Sequence, residues 1–97
     1  MLKFSLLVKL EAKAGKEQEL SDFLKSALSL AQQEAGTVNW YALQIGASTF
    51  GIFDTFETEA AREAHLNGPI AAALLDKAPE LLSGSPVIEK VDILAVK

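Results

Sequence analysis

The chain has 97 residues, 49% of them apolar, with nine Lys and Arg against 13 Asp and Glu for a net charge of −4. That length holds one domain, 1–97, whose core is marginal without a disulfide, a metal or a partner subunit, and the absence of cysteine excludes disulfides, thiolate ligands and a cysteine nucleophile. The acidic balance and the scattered basic residues exclude a nucleic-acid partner, and no run of about 18 apolar residues is present to cross a membrane.

The N-terminal run MLKFSLLVKLEAKAG is broken by Lys3, Lys9 and Glu11 and leads to no small-residue cleavage site, so it reads as a strand and not a leader. The expected location is cytoplasmic. Leu2, Phe4, Leu6, Val8 and Leu10 alternate with Lys3, Ser5, Leu7 and Lys9, the period-two pattern of a strand with one strongly apolar face. Leu7 breaks the polar side, which points to burial on both faces near the middle. Gly15 supplies the positive φ of a sharp turn.

From Lys16 the period changes. Leu20, Phe23, Leu24, Ala27, Leu28 and Ala31 trace one side of a single helix, with Gly36 placed as its C-terminal cap. Val38, Trp40 and Ala42 then alternate with Asn39, Tyr41 and Leu43 in a strand apolar on both faces. Gly46-Ala47-Ser48 turns the chain into a third strand, Thr49 to Phe56, giving a hairpin. Gly51 in mid-strand leaves a gap, either for a bulge or for something packed on the backbone.

Thr58 is a reasonable N-cap for the helix EAAREAHL, which Asn67-Gly68-Pro69 interrupts. A short helix from Ile70 to Lys77 follows, with Pro79 opening one further turn through Leu82. The last strand is read from Val87 to Val96, its apolar end covered on both sides. The order is β-α-β-β-α-β, the ferredoxin-like α+β arrangement of an antiparallel sheet with both helices on one face. The uncovered face is apolar and needs a partner, most simply a second copy in a homodimer.

Glu34-Ala35-Gly36, Tyr41, Phe50-Gly51-Ile52-Phe53-Asp54-Thr55-Phe56, Glu59-Ala60-Ala61 and Ala64-His65-Leu66 followed by Pro69 resemble the antibiotic biosynthesis monooxygenase domain family. Through element order and lengths the resemblance covers nearly the whole chain. It implies a dimeric α+β barrel with a ligand cavity in each subunit between sheet and helices. It also implies one of three activities: cofactor-free oxygenation of quinols or anthrones, haem degradation, or isomerisation of small signal molecules. Phe56 stands where many relatives carry tryptophan, and the first strand lacks the asparagine of haem-degrading relatives, which disfavours that branch and leaves His65 alone as an axial-ligand candidate.

On this reading the function is that of a cofactor-independent monooxygenase on a quinol-like or polycyclic aromatic small molecule, with O2 as co-substrate and no metal. His65 is the candidate catalytic base, since an imidazole titrating near neutrality can deprotonate an acidic phenol. Against this, His65 either bonds a backbone carbonyl near the helix break or faces solvent. Asn39, Trp40, Tyr41, Phe53 and Phe56 are the candidate substrate-binding residues. Aromatics in a small domain are, however, commonly core, and strand alternation allows Trp40 with Phe56 and Tyr41 with Phe53 to lie in different compartments. Asp54 reads as a strand-end hydrogen-bonding residue and Arg62 as a solvated charge, and no pair of carboxylates stands in a catalytic setting. An isomerase and a non-catalytic dimeric binding protein are the alternatives.

Overall fold

The alternation and periodicities of the sequence are realised, in a computed structural model that describes residues 2–97, as β1 (Phe4–Glu11), α1 (Glu17–Ser26), α2 (Leu28–Gln33), β2 (Thr37–Gln44), β3 (Thr49–Phe56), α3 (Glu59–Leu66), α4 (Pro69–Leu81) and β4 (Val87–Asp92). Met1, the first residue of the predicted N-terminal run, lies outside the described residues. The strands form one sheet in the order β2-β3-β1-β4, and every neighbouring pair is antiparallel. This is the ferredoxin-like α+β fold read from the sequence.

The register puts Leu6 opposite Asp54, Val8 opposite Ile52 and Leu10 opposite Phe50, so these six side chains share one face. Against it pack Leu20 and Leu24 of α1 and Leu74 and Leu81 of α4, all buried. Gly15 has the expected positive φ, 84°. The opposite face carries Leu7, Tyr41, Leu43 and Phe53, and no described element covers it: Tyr41 is 52% and Leu43 37% exposed.

Several boundaries differ from the expectations. The single predicted helix divides at Ala27, whose N–H is shared between Phe23 O (3.1 Å) and Leu24 O (3.2 Å), and it stops at Gln33. Glu34 is already extended, with φ −86° and ψ 105°. Gly36 therefore does not cap it. A Cβ there would lie 3.0 Å from the Cβ of Ala61, so the glycine serves the close approach of the α2–β2 turn to α3.

Pro79 lies inside α4 and does not begin a separate turn. Near the C-terminus its missing N–H costs one ladder bond, to Leu75 O, and Lys13 separately ties down the helix end, its Nζ donating to Pro79 O (2.5 Å) and its backbone N–H to Leu81 O (2.8 Å). Gly51 marks no bulge but the other expectation, neighbours packed on its backbone: a Cβ there would meet Val8 O at 2.9 Å and Ile45 Cδ1 at 3.4 Å. The ladder irregularity falls instead between Thr37 and Asn39. β4 ends at Asp92 rather than Val96, the last sheet-like bond being Ile93 N–H to Lys3 O (2.7 Å). The apolar end expected to be covered is open, with Leu94 91% exposed, since apolar composition alone supplies no surface to bury against.

Candidate functional site

Three elements converge at the end of the sheet where β3 finishes. Strand alternation turns Asp54, between Ile52 and Phe56, toward the helices. Thr58 caps α3, its Oγ1 accepting from Ala61 N–H at 3.1 Å, and the helix that starts there buries Arg62 and His65, one turn apart. The turn between α2 and β2, seated on Ala61 through Gly36, brings in Glu34 and Thr37.

His65 is held between two carboxylates. Its Nδ1 lies 2.5 Å from Glu34 Oε1 and its Nε2 2.9 Å from Asp54 Oδ2, the latter a close ion pair and not an aligned hydrogen bond. Thr37 Oγ1 donates to the same Glu34 oxygen at 3.0 Å. Phe56 sits against the ring, with centroids 5.4 Å apart and planes at 47°. Exposure rises outward along the line, from 1% for the Asp54 side chain to 8% for His65 and 17% for Glu34. Burial by itself lowers the pKa of the imidazole, but the contacts and charges of Asp54 and Glu34 outweigh it and hold His65 above the ordinary 6.5. Protonated, the ring donates from Nδ1 to Glu34 and sets its charge beside Asp54 through Nε2. Asp54 Oδ1 and Glu34 Oε2 are buried without a hydrogen-bond partner.

The structure overturns four expectations. Carboxylates do pair at a plausible site, because Glu34 and Asp54 meet across one imidazole. Asp54 lies inside the fold and contacts a side chain instead of closing a strand end. Arg62 is not solvated: it is 8% exposed, its guanidinium carbon lies 5.3 Å over the Phe4 ring, and its Nη1 reaches Ser5 O (3.4 Å) and Val91 O (3.5 Å). His65 neither bonds a backbone carbonyl nor faces solvent. An axial position on haem iron needs a free imidazole nitrogen, and here both are taken.

The aromatic candidates divide across the sheet. Phe56 is fully buried and Trp40 packs against the core on the helix side. Tyr41 and Phe53 stack on the uncovered face, 6.4 Å between centroids at 20°. Asn39 joins them there, its Oδ1 accepting from Thr55 Oγ1 at 2.9 Å. The five expected substrate-binding residues thus do not wall one chamber. The middle of the space between sheet and helices is packed with apolar side chains, and the hollow beside His65 is one of several along its rim. It measures about 210 Å³ and is bounded by Ala61, Ala64 and Pro69, with Glu34, Thr37 and His65 on its polar side.

Glu34 was legible in one respect: a carboxylate just past a helix C-terminus opposes the helix dipole and calls for a partner. Asp54 was legible as a charge on the apolar side of an alternating strand. That both meet His65 was not, because the contact depends on packing between separate elements.

No protein-family model matches the chain, and no curated protein matches it. Among solved structures it is 60% identical to the NE2512 protein of unknown function from Nitrosomonas europaea, over 100% of this chain and 94% of that one, with a TM-score of 0.98. The chain belongs to the NE2512 family. Beyond this family the likeness is one of fold. PA3566 from Pseudomonas aeruginosa is 21% identical over 98% of this chain and 97% of that one, with a TM-score of 0.82. A proposed antibiotic biosynthesis monooxygenase from Deinococcus radiodurans is 18% identical over 97% and 95%, with a TM-score of 0.83. The fold of the NE2512 family is therefore shared with proteins named for that activity.

Proposed function

We propose that this protein is a cofactor-independent monooxygenase acting on a quinol-like or anthrone-like aromatic small molecule. The observation that carries the reading is the Asp54–His65–Glu34 line, which runs from the interior to the edge of a small, mostly apolar hollow. Such a line accepts a proton in a partly dry setting, where it leaves an electron-rich anion on the ligand. For a CH2 flanked by aromatic rings, the carbanion gives one electron to O2, and the radical pair combines to a peroxide on that carbon. The peroxide takes up the proton and loses water, leaving C=O; overall CH2 and O2 become C=O and H2O, and the substrate supplies every electron. At about 210 Å³ the hollow is smaller than the ~300–1,000 Å³ of ordinary ligand pockets, so one edge of a fused-ring substrate enters it. The uncovered sheet face is the surface of a homodimer in this reading.

Oxygen uptake with a panel of quinols and anthrones tests it. One O2 is expected per substrate, with a loss of about 10²–10⁴ when the proton-accepting line is removed whole in Glu34→Gln/His65→Ala. Conversion that persists under nitrogen would favour an isomerase, for which the same proton-accepting line suffices. Binding with no turnover would leave a non-catalytic ligand-binding protein.

A further inference from the structure

We propose that Glu34 is the residue that meets the substrate, taking the proton of an acidic hydroxyl at its free oxygen, and that His65 is a positioning residue behind it. The proposal rests on the proton-accepting reading above and adds which atom accepts and what the ligand presents.

The imidazole is enclosed. Nε2 faces Asp54 on the interior side, Nδ1 faces Glu34, and Phe56 lies against the ring. A substrate proton reaches a ring nitrogen only by displacing a carboxylate from a buried ion pair, which is strongly disfavoured. Glu34 is the outermost of the three. Its Oε1 is committed to His65 and Thr37, but Oε2 is buried with no donor, a costly state for a carboxylate oxygen. A ligand hydroxyl in the adjoining hollow supplies the missing donor. Gly68 lies beside that oxygen: a Cβ there would meet Oε2 at an ordinary 3.7 Å and the carbonyls of Ala64 and His65 at a tight 3.2 Å.

Charge sets the ligand class. With the imidazole protonated between Glu34 and Asp54, the carboxylates that face it among the described residues, the line carries one net negative charge. Taking a proton neutralises it, which burial favours. An anionic ligand brings a second negative charge and is rejected. The expected ligand is a neutral phenol or enol: its O–H bond breaks, the proton goes to Glu34 Oε2, and the electron pair stays on the ligand oxygen.

The test uses Glu34→Gln, the conservative Glu34→Asp, and His65→Gln, with two readouts. The first is titration of bound 4-nitrophenol under nitrogen, followed by its absorbance. Before any transfer Glu34 accepts the hydrogen bond of the neutral phenol, so wild type is expected to move the ionisation of this unreactive probe to higher pH. Glu34→Gln abolishes the shift, Glu34→Asp restores part of it, and His65→Gln keeps it. The second is kcat against pH on a turned-over quinol, where Glu34→Gln loses about 10²-fold or more. His65→Gln loses about tenfold less than that and lacks the alkaline decline of wild type. Absence of a shift in wild type, or a shift removed by His65→Gln and kept by Glu34→Gln, overturns the assignment whatever the oxygen electrode shows. A shift that behaves as expected without oxygen uptake supports the assignment and sinks only the oxygenase reading.

Discussion

Protonation of His65 ties three separate pieces of chain together, because the charged ring binds Glu34 and Asp54 at once. Its pKa is raised in the folded state, so the folded form holds the proton more tightly than the unfolded one. That stabilisation is complete below the ordinary 6.5 and is lost as pH rises through the raised value. Urea unfolding of wild type and His65→Gln over a pH series should show a difference on the order of 1–3 kcal/mol at mildly acidic pH that shrinks on the alkaline side. A difference that grows with pH would mean that the ring is neutral in the fold. At this scale the sequence was half readable. A lone histidine and an acid on an apolar strand face are visible in one dimension, but Glu34 and His65 are 31 residues apart, and nothing local joins them.

The join is made by the close seating of one element on another. Gly36 lets the α2–β2 turn rest on α3, and the same turn carries Glu34. Gly36→Ala would force two Cβ atoms to 3.0 Å, an overpacking worth about 1–3 kcal/mol, and would push Glu34 away from the ring. Ala61→Gly alone should cost about 1 kcal/mol through helix propensity, yet combined with Gly36→Ala it removes the collision. In thermal or urea unfolding the double variant should therefore lose less than the sum of the singles, and a strictly additive result would refute the contact. Element types and order were readable because each periodicity is long and uninterrupted. Ends were less so: Pro79 is tolerated inside α4 because the carbonyl it deprives of a donor is that of Leu75, a residue 61% exposed, while Lys13, 66 residues away, ties down the helix end through Pro79 O and Leu81 O. Gly36 has the residue type of a cap but the task of a spacer.

For the whole molecule, helices cover one side of the sheet and leave Leu7, Tyr41, Leu43 and Phe53 on the other, a surface of the kind that associates. Light scattering on the eluting protein should give a dimer at micromolar concentration, and Leu43→Lys, at a position already 37% exposed, should shift it to monomer with little change in circular dichroism. A wild-type monomer would remove the surface from consideration. The two-sided apolar character of the middle strands was readable in the sequence; the open end of the chain after Asp92 was not, since apolar composition does not say what lies alongside. The position of β2 has one more consequence. It is a flank of the sheet, and its eight residues TVNWYALQ hold neither a charge nor a proline, the usual guards against strand-to-strand recruitment. Only the irregularity between Thr37 and Asn39 interrupts its free hydrogen-bonding groups. Wherever the helices loosen, that flank is therefore the place where a strand of another chain would add.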